Sequence, residues 1–264
     1  MYATDFLFNG RRASDFGLMI CSFNGEPETV TGGELEYNTA KSPQTDRFTF
    51  YGSQFNSVLA WNFSICKNPD QNTNLYFNQY EESRILKWLI RTDGYNYIQF
   101  NQPGYEDIFY KVCINAVPHQ ISGRTAGFDL TVTSDCAYGF SDIIRRAGGI
   151  NASTPLKLHI QSDINTYILP ELNLKSQGND GFFIHNFKDE QLQLPILSKP
   201  IEFYHASKEI TMDSDTEIIT GLSNPNDFNW QFLRLTDGMN FITTDSVSNI
   251  EIEIRYREPR FVRI

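Results

Sequence analysis

Polar and apolar residues alternate along most of this chain, and in one stretch the period changes. Between Val58 and Cys66, Leu59, Trp61, Phe63 and Ile65 fall on one side of an extended strand and Ala60, Asn62 and Ser64 on the other. After Asn78 the spacing becomes helical. Ile85, Leu86, Trp88, Leu89 and Ile90 form a broad apolar stripe, with Arg84, Lys87 and Arg91 opposite. Asn78 followed three residues on by Glu81 predicts a capping box, and Gly94 a left-handed cap past the end, where Lys87 and Arg91 suit the negative end of the dipole.

Behind the helix, residues 95–100 and 108–114 are rich in aromatic and β-branched types and flank Pro103-Gly104, which predicts two paired strands. A third run, 127–133, alternates strictly. Upstream, Phe6-Leu7-Phe8, the tight-turn pair Asn9-Gly10 and Phe16–Ile20 predict a strand turning into a second extended segment. Residues 26–54 are polar and turn-rich, with Gly32-Gly33, Ser42-Pro43 and apolar touches at Leu35, Tyr37, Phe48 and Phe50. They read as a long exposed hairpin or a loop, and as a solvated segment or an interaction arm. Trp61 and Trp88 are the large fillers of the first core.

Residues 141–149, with Arg145 and Arg146, read as a linker. Beyond them the pattern is strand and turn without helical periodicity: 156–160, 168–174, 182–187, 191–194, 202–204, 209–212, 217–220, 230–235, 240–243 and 250–256. In the last, Ile250, Ile252, Ile254 and Tyr256 alternate with Glu251, Glu253 and Arg255. Short strands at this spacing predict a two-sheet sandwich.

A chain of 264 residues, 40% hydrophobic and 14% aromatic, has the length for two domains and the side chains to fill their cores. Its 22 Lys and Arg against 32 Asp and Glu leave a formal net charge of −10, which opposes nucleic-acid or anionic-membrane binding through the whole surface. Cys21, Cys66, Cys113 and Cys136 show no C-x-x-C spacing and are expected to be buried free thiols made in a reducing cytoplasm, neither a disulfide scaffold nor a metal site. Charges at Asp5, Arg11, Arg12 and Asp15 interrupt the N-terminal apolar stretch, so no signal peptide is expected, and no apolar run approaches membrane-spanning length.

No phosphate-cradling Gly-rich loop, H-E-x-x-H pair or G-x-S-x-G elbow occurs. His119, His159, His185 and His205 are scattered without ligand spacing. Asp and Glu are numerous enough that a glycosidase-like pair depends only on separation in space. Arg255, Arg257, Arg260 and Arg263 make a basic cluster in an acidic chain, suited to an acidic neighbour or to a solvated edge.

Taken together, "EESRILKWLIRTDGYNYIQF", "YEDIFYKVCI" and "GFDLTVTSDCAYGF" resemble the N-terminal half of the distal tail protein family of long-tailed, siphovirus-type bacteriophages. "FLFNGRRASDFGLMI" resembles that family's opening, and "FLRLTDGMNFIT" with "IEIEIRYREPRF" its closing region. Ala137 stands where the family usually has a proline before the tyrosine, here Tyr138. The resemblance implies a mainly β chain: a sandwich or barrel-like N-terminal domain with one α-helix over 1–140, then a galectin-like sandwich over 141–264, whose final strand stays there or returns to the first domain. Its implied role is structural, with no enzyme activity and no cofactor. Six copies form a ring at the virion tail tip, joining the tail tube protein to the tail-associated tip protein and giving receptor-binding proteins a docking platform. An acidic lumen suits a DNA conduit.

Galectins bind sugar through His-x-Asn-Pro-Arg and a Trp followed at three positions by Glu. Here His185-Asn186-Phe187-Lys188 lacks the Pro-Arg and Trp230 is followed at that distance by Leu233, so the sugar site is not carried over and Trp230 is expected in the core. A soluble carbohydrate-binding module and a cell-wall hydrolase are the competing functions.

Overall fold

The structure, a computed structural model, describes residues 3–23, 29–41, 46–176, 180–187, 200–205, 209–246 and 249–262. The predicted strand 191–194, the Ser42-Pro43 turn and Arg263 lie outside them. Two compact units emerge: Met1–Phe140 with Phe261–Ile264, and Ser141–Arg260.

The first unit contains β1 (Phe6–Phe8), β2 (Arg11–Arg12), β3 (Leu18–Cys21), β4 (Thr29–Thr31), β5 (Leu35–Lys41), β6 (Phe48–Phe55), β7 (Ala60–Lys67), α1 (Gln79–Leu89), β8 (Asn96–Phe100), β9 (Phe109–Ile121), β10 (Arg124–Ser134) and β11 (Gly139–Phe140). Its main sheet runs β2-β1-β8-β9-β10-β7-β3, with β4 also on β7 and β11 on β9. The alternation in β7 is met: Trp61, Phe63 and Ile65 point into the core and Asn62 away from it.

The helix begins where its cap predicts. The Glu81 backbone N–H donates to Asn78 Oδ1 and the Asn78 N–H donates back to Glu81 Oε2, both at 2.9 Å. Glu81 also accepts from Lys67 Nζ at 2.8 Å, and the same ammonium donates to the Tyr76 carbonyl at 3.0 Å above the Phe77 ring, so the end of β7 is tied to the first turn of α1. Burial alone would raise the Glu81 carboxyl; the hydrogen bonds from Lys67 and Asn78 outweigh it and hold it below the ordinary range. Ile85, Trp88 and Leu89 are buried. Trp88 stacks between Phe6 at 5.6 Å and Phe16 at 4.5 Å, and its indole N–H donates to the Phe8 carbonyl at 3.0 Å.

Three local expectations are corrected. The helix ends one residue before Ile90, which is extended and exposed, and Gly94 lies in a later turn rather than capping the helix, because Arg91 folds back onto Asp93. Asn9-Gly10 joins β1 to the short β2, and Phe16 closes a 3-10 turn, Ala13–Phe16, rather than opening a strand. Residues 144–150, expected in a linker, form a strand of the second unit.

That unit contains β12 (Ile144–Ile150), β13 (Leu156–Ile160), β14 (Glu171–Ser176), β15 (Asp180–Phe187), β16 (Ile201–His205), β17 (Glu209–Asp213), β18 (Ile218–Thr220), β19 (Gly238–Thr244) and β20 (Ile250–Tyr256). They form two antiparallel sheets, β12-β20-β14-β17-β18 and β13-β19-β15-β16, whose inward residues make one core. β12 pairs with β20 along its whole length, since Gly148 and Gly149 admit the close approach of Leu156 and Asn249. In β20 Ile250, Ile252, Ile254 and Tyr256 are all buried, as their alternation predicts.

Candidate functional site: an amphipathic arm

β5 and β6 form a two-stranded ribbon of their own, paired from Leu35↔Phe55 to Lys41↔Phe48. Their register sorts the side chains. Leu35, Tyr37 and Thr39 pair with Phe55, Ser53 and Phe50, the bulge that leaves Tyr51 unpaired bringing Phe50 back to the face of Ser53 and Phe55, and Phe48 joins them opposite Lys41. The 6.2 Å separation of the Tyr37 and Phe50 rings confirms that they lie together. The other face is polar, with Gln54 donating to Glu36 and Asn38, Ala40 and Thr49 around them. A register shift between Asn38 and Thr39 twists the ribbon midway.

Tyr37, Phe48 and Phe50 are 63%, 67% and 60% exposed. With about 200 Å² for each ring, they offer on the order of 400 Å² of aromatic surface to solvent, about half of one partner's share in an ordinary stable interface. An isolated two-stranded ribbon is marginal in water, because neither face is covered. The base of the arm is fixed: Phe55 packs 6.1 Å from Tyr138 and 6.3 Å from Phe261, and Tyr138 and Phe140 continue the aromatic row to Tyr97. Gly32, at φ +92, lies where a Cβ would stand 1.8 Å from the Val58 carbonyl oxygen, so the chain enters the arm through a position open only to glycine.

The residues singled out for chemistry stay apart. His119 stacks on Phe23 at 4.1 Å with Nδ1 2.9 Å from Asp129, whereas His159 and His205 are exposed on β13 and β16 and His185 is half-buried on β15. Among the described residues no group of three or more His, Cys, Asp or Glu is placed to hold a metal. Hydrogen bonds from Arg91 and Arg255 hold the Asp93 and Glu253 carboxyls below the ordinary range, away from the raised value a general acid uses. Of the basic cluster, Arg255 meets Glu253 at 2.7 Å, Arg257 donates to the Ser141 carbonyl at 2.7 Å, and Arg260 meets the buried Glu258 at 2.5 Å. These three arginines are engaged inside the second unit, whether the cluster serves an acidic neighbour or a solvated edge.

Trp230 is also corrected. Residues 230–235 form no strand, and Trp230 is 52% exposed at φ +55. Asn229 is the cause: its side chain donates to the Pro200 carbonyl and accepts from the Gln231 N–H, folding the backbone around residue 230 and turning the indole outward over Phe228. Leu233 and Leu235 are fully buried instead. Asn186, from the grazed galectin motif, lies in the interior and donates to the Arg234 carbonyl and to Asn240 Oδ1, where it clips this irregular segment to the sheet.

Sequence reasoning found the apolar residues of the arm but missed its two-sided pattern. The signal was the alternation Leu35, Tyr37 against Phe48, Phe50, Phe55, hidden by the small polar residues between them.

A model described as a phage tail protein N-terminal domain matches residues 1–136, and one described as a phage tail C-terminal domain matches residues 138–256. No curated protein matches the sequence. Among solved structures, the Dit protein of phage SPP1, described as a paradigm of the hub adsorption apparatus in phages infecting Gram-positive bacteria, is similar with a TM-score of 0.57 at 9% identity, over 97% of this chain and 99% of that one. The baseplate of phage p2, in its activated conformation with strontium, is similar with a TM-score of 0.57 at 9% identity, over 98% and 99%. At that identity the likeness is one of fold.

Proposed function

We propose, from the premise that this chain belongs to the family of phage tail proteins defined by those two domain models, that it is the hub of the tail tip: copies of it form a ring that joins the tail tube to the tail-associated tip protein. The observation that carries this reading is the arm. Its aromatic face is finished by burial against another protein surface, and a second copy of the chain provides one in the right stoichiometry. Each arm lies along its neighbour, the neighbour's arm along the next, and the head-to-tail contact closes into a ring. Six copies is the number implied by the resemblance to distal tail proteins. The second unit, a galectin-like sandwich by the resemblance to distal tail proteins, serves as the platform for host-adsorption proteins. Light scattering and negative-stain images test the reading: rings support it, and monomer at every concentration overturns it.

One observation favours a second reading. The outward indole of Trp230, held on a left-handed backbone, is a surface on which a sugar ring stacks. Glycan-array binding lost in Trp230→Ala, by a protein that forms no ring, selects a carbohydrate-binding module.

A further inference from the structure

The outer face of the first unit's main sheet holds two cysteines side by side. Cys21 ends β3 opposite Ser64, and Cys66 lies two residues further along β7, opposite Met19, so the two are diagonal neighbours on one face while Leu18, Ile20 and Ile65 point into the core. Both are half-buried and Cys113 is exposed, where the sequence predicts buried thiols. On the far side of Cys66 stands Gly127 of β10, where a Cβ would come within 2.4 Å of the Phe23 ring. That ring covers the glycine and stacks on His119, so Cys66 has an aromatic wall on one flank and Cys21 on the other. The titratable groups on the same face include His119 and Asp129, which are paired with each other at 2.9 Å, and Lys111 and Cys113 further along β9.

The hydrogen bond from Cys21 outweighs burial and lowers the Cys66 thiol to about 7, whereas burial raises Cys136 to about 12. Near neutral pH Cys66 is therefore substantially thiolate, the form that attacks disulfides, and a second thiol stands ready beside it.

We propose that Cys21 and Cys66 are a redox pair, dithiol in a reducing cell and joined as a cross-strand disulfide when the chain meets a small oxidised disulfide such as glutathione disulfide. The Cys66 thiolate attacks one sulfur of glutathione disulfide, forming a mixed disulfide and releasing one glutathione thiolate. Cys21 then loses its proton to solvent and attacks the Cys66 sulfur, releasing the second glutathione. Two electrons and two thiol hydrogens leave the protein, and one glutathione disulfide becomes two glutathiones. The new bond staples the edge strand β3 to β7. Diagonal cross-strand neighbours stand about 7–8 Å apart, past the ~7 Å that two cysteines span without backbone movement, so forming the bond draws β3 toward β7 and the bridge is strained and easily reversed.

The full chain is incubated with glutathione disulfide at neutral pH, acid-quenched, denatured, alkylated and mapped without reduction. The expected result is a linked peptide pair containing Cys21 and Cys66, both lost from the alkylated pool and restored by dithiothreitol, with Cys136 still alkylated. In Cys21→Ser, Cys66 carries glutathione instead. Recovery of Cys21 and Cys66 fully alkylated overturns the proposal, as does a wild-type chain that stops at glutathionylated Cys66 with Cys21 free.

Discussion

Replacing Trp88 separates two contributions that the structure assigns to one side chain. Its ring is 7% exposed and packed between Phe6 and Phe16, and its N–H satisfies the Phe8 carbonyl at 3.0 Å. Trp88→Ala removes both and leaves a cavity, an expected cost of about 3–5 kcal/mol. Trp88→Phe keeps most of the apolar contact and removes one of the donors to the Phe8 carbonyl, which still closes its turn with Arg11, at about 0.5–1.5 kcal/mol. Against a domain stability of roughly 5–15 kcal/mol, the alanine variant is marginal and the phenylalanine variant folded. Guanidinium unfolding of the full chain followed by tryptophan fluorescence and far-ultraviolet circular dichroism measures both, with the two units read as separate transitions. Only the first unit's transition should move. Trp88→Asp, which puts an unpaired charge among the same rings, should abolish soluble folding of that unit. A Trp88→Ala transition within ~0.5 kcal/mol of wild type would refute the assignment of this helix face, because no relaxation of a packed aromatic core recovers so much.

Other consequences concern charge, space and a clip. The Glu81 carboxyl is held low in the folded state, so its contribution is complete above the ordinary value of 4.5 and is lost as pH falls through the folded value. Lys67→Met should therefore flatten the acid side of the stability profile, at a cost of about 1 kcal/mol at neutral pH because Glu81 remains partly solvated; an unchanged acid limb contradicts the pairing. Gly127→Ala sets a methyl 2.3 Å from the Ile65 carbonyl oxygen and should lower stability by about 1–3 kcal/mol in thermal melting. A neutral result would contradict the close approach of β7 to this glycine. Asn186→Ala removes the clip on residues 230–238 and should speed amide exchange there while leaving β14 and β20 protected; uniform protection would show that the segment is held by Leu233 and Leu235 alone.

Features written in a few adjacent residues were legible before any coordinates. The Asn78 and Glu81 box, the inward Trp88 and the alternation of β7 and β20 depend on local hydrogen bonding and burial, and each appears as expected. The mainly β fold followed from the same periodicities. Features settled by distant partners were not legible. Trp230 reads as core until Asn229 is seen bonded to Pro200, 29 residues earlier, and the partners of the arginine cluster, Ser141 for Arg257 and Glu258 for Arg260, are set by the fold and not by the spacing of the arginines. Residues 144–150 look like a linker because two glycines conceal a strand that only the facing β20 specifies. The arm lies between these cases: its apolar residues were visible, but their common face depends on the pairing of Tyr37 with Ser53 and Thr39 with Phe50, which no single strand encodes.

The central claim is that the arm's aromatic face is completed by another copy of the chain. Mass photometry and negative-stain imaging of the wild-type chain and of Phe48→Ser/Phe50→Ser, at matched concentrations, test it most directly. The account predicts closed rings for the wild type and monomers for the variant with an unchanged melting temperature, since both rings already face solvent in the single chain. Rings of equal abundance in the variant, or a wild type that remains monomeric throughout, would contradict it.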